Sequence, residues 1–285
     1  MKAFKDTVAV ITGGASGIGR GLAEHCIQKG IRVVLADVEA AALEAAAAAL
    51  RGAGGDVRPV LTDVSRCDSV QALAGDALGT YGKVDLLFCN AGVGAGGALW
   101  ESTANDCDWV LGVNLWGVIH CVRTFVPIMV SQDTPGHIVN TASAAGLLSF
   151  HPSALYQLSK HAVVALSEQL QHDLRLRKAN IGVSVLCPGF VNTRIMDAER
   201  NRPAELRNAD GAGGPPLGRE ANEAAFRKMV AHGLPPALVA ERVFEAIAGE
   251  RFLIHTHTEL EPFYQARLAA LAEGRLPDLP PPVDC

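Results

Sequence analysis

The sequence predicts a doubly wound α/β fold with a seven-stranded, mainly parallel sheet and helices on both faces. Three observations carry that expectation. Short β-branched runs alternate with longer Ala- and Leu-rich segments almost from end to end. A glycine-rich turn follows the first run, where a Rossmann-type fold needs one. The chain, at 285 residues, is long enough to bury one large core.

The strand-like runs are Val8–Thr12, Arg32–Ala36, Val57–Thr62, Leu86–Asn90, Ile138–Thr141, Ile181–Leu186 and Phe252–His255. Helix patterns lie between and after them, over 17–29, 39–51, 68–81, 103–131, 154–178 and 236–249. Strand and helix in alternation imply right-handed βαβ units and hence parallel pairing. The Ala-rich piece Ala40–Ala49 is a good helix former and nothing more. No boundary interrupts the pattern, so residues 1–275 are expected to form a single domain. Two stretches break the rhythm. Residues 190–234 mix Pro203, Pro215, Pro216 and several glycines with charges, the signature of a substrate lid or a disordered loop. The tail 276–285 holds four prolines and is expected to be extended.

Bulk properties exclude several classes of function. A formal charge of -5 offers no basic footprint for nucleic acid. No apolar run approaches the roughly 20 residues of a membrane helix. The run Thr7–Thr12 is too short for a signal-peptide core. The seven cysteines are scattered without a C-x-x-C pair, which fits a reducing cytoplasm better than a disulfide framework or zinc knuckle.

Chemistry enters at the first turn, Thr12-Gly13-Gly14-Ala15-Ser16-Gly17-Ile18-Gly19. Glycines let the main chain turn sharply and let a pyrophosphate approach the N–H groups at the positive end of the next helix. Asp37 ends the second run, where a carboxylate can accept hydrogen bonds from both adenosine ribose hydroxyls and repel the extra phosphate of NADP. Neither Ser16 nor Val38 is basic, so NAD is the expected cofactor. Asp37 also reads as a helix cap for the segment starting near Glu39, and the two roles are compatible.

Tyr156 and Lys160 are four residues apart at the start of a helix, which places them on one face. A free phenol titrates near about 10, and lowering that by ~3 units needs ~4 kcal/mol. A lysine ammonium together with a positive nicotinamide could supply it in a dry cleft. Ser143 follows the fifth run, so its hydroxyl falls at the carboxyl edge of the sheet, where such folds bind ligands.

With these residues in place the chain resembles the classical short-chain dehydrogenase/reductases over about residues 5–195 and, more loosely, 236–256. The turn Thr12–Gly19 matches the family's Thr-Gly-x-x-x-Gly-x-Gly, Asp63-Val64 the pair that contacts adenine, and Asn90-Ala91-Gly92 the Asn-Ala-Gly beneath the cofactor. Asn114, Ser143, Tyr156 and Lys160 match the catalytic set in order and spacing. Pro188-Gly189 matches the turn under the nicotinamide, and Thr193 the hydroxyl that reaches its carboxamide. One departure is Gln157-Leu158 after the tyrosine, where small residues are common. The resemblance implies that Tyr156 is the general acid/base and that Ser143 steadies the substrate oxygen. It implies that Lys160 lowers the tyrosine pKa and holds the nicotinamide ribose, and that Asn114 binds a water leading to solvent. It also implies a homotetramer or homodimer built through the 103–131 and 154–178 helices.

The expected pocket wall is apolar: Val93, Gly94, Ala145, Leu147, Phe150, Leu155, Phe190 and Met196, with Ser143 and Tyr156 supplying the polar contacts and no Arg or Lys among them. That predicts a lipophilic secondary alcohol or ketone, bulky and aromatic ones included. An NADPH-linked carbonyl reductase and a non-catalytic NAD-binding regulator are the alternatives. The regulator expects a broken catalytic set, whereas all four positions are filled. His255 and His257 are read as structural or interface residues, and Trp100, Trp109 and Trp116 as core or subunit contacts. Cys187 is read as a small buried hydrophobe.

Overall fold

The computed structural model describes residues 4–94, 97–149, 153–209 and 219–280, with the side chains of 219–223 left aside. Seven strands form one sheet in the order β3-β2-β1-β4-β5-β6-β7. They are β1 (Val8–Thr12), β2 (Arg32–Asp37), β3 (Val57–Leu61), β4 (Leu86–Cys89), β5 (Gly136–Thr141), β6 (Ile181–Cys187) and β7 (Leu253–His255). Every ladder is parallel. All seven expected strands are present, with ends shifted by one or two residues.

The two faces follow the period-2 alternation of the strands. Val8 and Val10 pack towards α3 (Cys67–Tyr81), α5 (Gly117–Gln132) and α6 (Ala154–Leu176). Ala9 and Ile11 point the other way, into a core shared with α1 (Gly17–Gln28), α2 (Ala40–Gly52) and α8 (Pro236–Ala248). Because β1 is buried on both faces, its residues are apolar without alternation.

The helix expected over 103–131 is instead α4 (Ala104–Leu111), a π-helical turn at Gly112–Trp116, and then α5. Such turns occur frequently at functional sites; this one holds Asn114, which is fully buried. The continuous run Ala104–Gln132 is long and apolar enough to cross a membrane. Here it carries buried Trp109, Val118, Cys121, Phe125 and Met129 into the protein's own core.

The expectation of an irregular stretch over 190–234 is corrected in part. It contains 3-10 turns at Ile195–Asn201 and Ala204–Leu206 and a helix α7 (Arg219–Ala231). The helix hides in the sequence because the Gly/Pro run lies immediately before it, although its own residues are good helix formers. A further helix, α9 (Glu261–Ala272), follows β7, with a proline in its first turn.

Candidate active site

β1 and β4 are neighbours whose connections leave in opposite directions, so a crevice opens beyond their carboxyl ends. The glycine turn is fastened there by uncharged groups. Thr12 Oγ1 donates to Phe88 O (3.3 Å) and accepts from the main-chain N–H groups of Asn90 (2.9 Å) and Ala91 (3.1 Å). Asn90 Nδ2 donates to the carbonyls of Thr12 (3.1 Å) and Gly13 (3.3 Å), and Thr141 Oγ1 donates to Asn90 Oδ1 (3.4 Å). Asn90 therefore belts the turn to β4 and β5. Thr12, central to that belt, was read from sequence only as part of the motif.

Gly13, Ser16, Gly17 and Ile18 line the cavity above this turn, while Gly19 does not. A β-carbon on Gly19 would overlap the Gly13 carbonyl oxygen and lie 2.7 Å from Asn90 Nδ2. Its task is close approach of α1 to the turn. Ser16, the N-cap of α1, makes no side-chain capping bond, so the N–H groups of the first turn remain available to an anion.

At the far end of the crevice the Asp37 carboxylate accepts from Ala15 N and Glu39 N, both at 3.0 Å. It thus joins the glycine turn to the start of α2 while also lining the cavity. Asp63 and Val64 line the same cavity. Asp63 Oδ1 accepts from Ser65 N (2.9 Å) and Ser65 Oγ (2.7 Å), which fixes the turn after β3.

Ser143, Tyr156 and Lys160 come together on the opposite wall, with Ala91 and Gly92 between them and the glycine turn. Ser143 caps a 3-10 turn, its Oγ accepting from Ala145 N (3.1 Å). Burial pushes the half-buried Tyr156 phenol up, and its hydrogen bond with the Ser143 hydroxyl pulls in the opposite direction. Lys160 Nζ lies 5.6 Å from the Tyr156 ring centre and donates to Thr141 O (3.0 Å). Burial lowers Lys160 to about 8. In the protein by itself burial is the leading influence on the phenol and works against the depression expected from Lys160 together with a positive nicotinamide. A β-carbon on Gly92 would sit 3.4 Å from both Lys160 Nζ and Asn114 Oδ1, so glycine keeps this wall thin.

Asn114 stands behind the wall rather than in the cavity. Its Oδ1 accepts from Val93 N (2.8 Å), and its Nδ2 donates to Val93 O (3.0 Å) and Ser159 Oγ (3.2 Å). Both amide hydrogens of Asn114 thus have protein partners, while Oδ1 keeps a second lone pair for a further donor.

Pro188, Gly189 and Thr193 line the cavity beyond β6. Gly189 N donates to His257 Nδ1 (3.1 Å) and Thr256 Oγ1 (3.3 Å). His257 thereby supports this turn directly, while His255 stacks near Tyr264 at 4.8 Å. Cys187 is buried and held up to about 12 by burial, inert as expected.

Ala145, Phe190 and Met196 line the cavity, as do Val93 and Gly94. Leu147 and Leu155 do not; they pack into the hydrophobic clusters behind it. Phe150 lies outside the described residues. Trp109 is 3% exposed yet lines the cavity, whereas Trp100 is 87% exposed. The wall is less uniformly apolar than expected, since Arg194, Arg200 and Lys228 also line it. Glu39 accepts from Arg200 Nε (2.9 Å) and Asn201 Nδ2 (3.1 Å). Arg202, only 5% exposed at its side chain, pairs with Asp106 (2.7 Å) and lies 4.9 Å over the Trp109 ring. These pairs link residues more than 90 positions apart, and no local pattern announces them.

The cavity holds ≈ 1090 Å³, more than the several hundred Å³ of an ordinary ligand pocket. An anion-ready helix start, the Asp37 carboxylate and the Tyr156, Ser143 and Lys160 side chains along one cleft fit an extended dinucleotide with a substrate beside it. That is the architecture of a nucleotide-dependent oxidoreductase. Residues 7–204 match the short chain dehydrogenase family, and the chain belongs to it. It is 32% identical over 98% of both chains to a CLA biosynthesis dehydrogenase/reductase of Lactiplantibacillus plantarum. To the C alpha-dehydrogenase of a Sphingobium species it is 35% identical over 95% of this chain and 88% of that one. A solved short chain dehydrogenase/reductase from Burkholderia phymatum in complex with NAD superposes with TM-score 0.95, at 50% identity over 98% of this chain and 99% of the other.

Proposed function

We propose that this oxidoreductase uses NAD to interconvert a lipophilic secondary alcohol and its ketone, with Tyr156 as general acid/base. One observation carries the reading: the Ser143, Tyr156 and Lys160 side chains share a cleft with the glycine turn and Asp37. Gly13, Ser16, Gly17 and Ile18 would hold the pyrophosphate, and Asp37, Asp63 and Val64 the adenosine. Asn90, Ala91, Gly92, Pro188, Gly189 and Thr193 would frame the nicotinamide half. NADP is disfavoured because Arg200, a cation at the adenosine end, is already bound to Glu39.

When bound, the dinucleotide supplies the hydride acceptor or donor and a ring that is positive in its oxidised form. The chain's own groups manage the proton. In reduction, the protonated Tyr156 phenol donates to the substrate oxygen as charge builds there, and the Ser143 hydroxyl steadies that oxygen. In oxidation the direction reverses, and Tyr156 takes the alcohol proton. Lys160, tied to Thr141 O, adds positive charge beside the ring and is placed to hold the nicotinamide ribose. Asn114 acts as a positioning residue, fixing Val93 against Ser159 next to Lys160.

Substrate class follows from the wall: Ala145, Val93 and Trp109 form an apolar bed with Phe190 and Met196, and the described residues 190–209 would serve as a lid over it. The name of the Sphingobium relative fits a bulky alcohol. Trp116 and Leu158, about half exposed on the α4–α5 run and on α6, favour a homodimer or homotetramer joined there. Cytoplasmic residence fits the free thiols.

The test is turnover of a panel of hydrophobic secondary alcohols with NAD and NADP, read by nicotinamide absorbance. Tyr156→Phe is expected to lower kcat by about 10³-fold while leaving NADH affinity within a few-fold. Full turnover by a folded Tyr156→Phe protein would overturn the mechanism. Preference for small charged hydroxy acids would overturn the substrate class.

A further inference from the structure

Glu39 is the N-cap of α2, yet its carboxylate caps nothing in its own helix. It reaches instead to the far side of the cleft. Its Oε1 accepts from Arg200 Nε (2.9 Å), Arg200 Nη2 (2.7 Å) and Asn201 Nδ2 (3.1 Å). Arg200 is preorganised for this, because its Nη1 is spent on the carbonyls of Arg194 (3.1 Å) and Asp197 (2.9 Å) in its own turn. On the other side, Glu39 N donates to the Asp37 carboxylate. An unbroken chain of bonds thus runs from the Asp37 carboxylate, through Glu39 and Arg200, into the segment that roofs the cleft.

That segment crosses the cavity along its length. A β-carbon on Gly17 would meet Thr193 Cγ2 at 3.0 Å, and one on Gly94 would meet Ile195 O at 3.2 Å. Glu39, Arg200 and Asn201 all line the cavity at the same end as Asp37 and Val38. The segment is anchored again by Arg202 on Asp106, a pair with 5% and 23% side-chain exposure. The Glu39–Arg200 joint, at 24% and 23%, is the wetter of the two and costs less to open.

We propose that Glu39, Arg200 and Asn201 form a strap across the adenosine end of the cleft, which must open for dinucleotide to leave and therefore sets its release rate. The proposal rests on the NAD reading above. Release of NADH from the full-length protein, followed by stopped-flow fluorescence, tests it. Glu39→Gln and Arg200→Gln are each expected to speed release roughly fivefold, the size of a half-exposed ion pair. The exchange Glu39→Arg with Arg200→Glu is expected to recover most of the wild-type rate. Wild-type release should quicken with added salt, while Glu39→Gln release should be nearly salt-independent. Equal release rates for wild type and Glu39→Gln at every salt concentration would overturn the strap. Wild-type protein that binds no NADH at all would instead overturn the cofactor reading.

Discussion

The glycine turn and the segment facing it across the cleft are held by different forces. Thr12–Gly19 is fixed mainly by neutral hydrogen bonds from Thr12 and Asn90 and by a close approach at Gly19, with one bond from Ala15 N to the Asp37 carboxylate. Residues 193–208 hang on guanidinium groups: Arg200 on Glu39, Arg202 on Asp106, with Arg227 on Asp197 beside them. Packed neutral contacts are short-ranged and intolerant, so the first region has one geometry. Ion pairs near the surface are weak singly and reversible, so the second can open and close around the same frame. A frame that binds cofactor and a roof that lets it exchange need that difference.

The comparison breaks most severely at Gly19. Gly19→Val places its side chain on the Gly13 carbonyl and on Asn90, neither of which is a flexible side-chain end. We expect NADH affinity to fall by more than about 100-fold, since the turn cannot close. Calorimetric titration checks it, and near-normal binding would mean that the turn deforms as easily as the roof.

Legibility in the sequence followed the same division. All seven strands and the cofactor turn were readable because each depends on residues close in sequence: a β-branched run, a glycine where the chain must turn, Tyr156 and Lys160 one helical turn apart. Asp37, Asp63 and the Asn90-Ala91-Gly92 wall were readable for the same reason. The π-helical turn at Asn114 was not, since Val113, Asn114 and Leu115 suit an α-helix equally well and the change in winding is set by Val93 and Ser159 from outside. Neither was the roof. Glu39, Asp106, Arg200 and Arg202 looked like solvated charges because their partners lie across the fold. α9 did carry a signal, Glu261-Pro262 ahead of an Ala/Leu run, that marks a helix start.

Acid should separate the frame from the roof. His137 is buried in β5 and donates from Nε2 to Ser184 Oγ (2.8 Å), whose own hydrogen goes to Arg251 O (2.6 Å). Burial holds His137 down at about 4, against an ordinary value near about 6.5. Between those values the unfolded chain binds the proton and the folded chain does not, so stability falls as pH drops through this window, by up to ~3 kcal/mol. Asp106 loses its contribution in the same direction, but at lower pH. Hydrogen bonds from Thr103, Arg202 and Asn208 outweigh its burial and keep its carboxyl below the ordinary range. The stability it contributes is present above that range and is lost only as pH falls through its depressed value. Urea unfolding at pH 7 and pH 4.5 should therefore show a loss that His137→Gln diminishes. An unchanged pH dependence in that variant would assign the acid response elsewhere.

The smallest effect belongs to the dry anchor of the roof, where the cost is spread over several partners. Arg202→Met removes the guanidinium from over the Trp109 ring and from Asp106, Glu199 and the Leu206 carbonyl. Asp106 keeps bonds from Thr103 and Asn208, so no carboxylate is left bare. The loss is then about 2–3 kcal/mol, since several charge-assisted hydrogen bonds go at once while the carboxylate stays satisfied. Because Trp109, Leu206 and Ala198 share the apolar side of the cavity, the loosened roof should raise substrate KM by about tenfold. The NADH release rate should stay within twofold, since Glu39 and Arg200 are untouched. Equal rises in KM and in NADH release would instead mean that the two anchors move as one body.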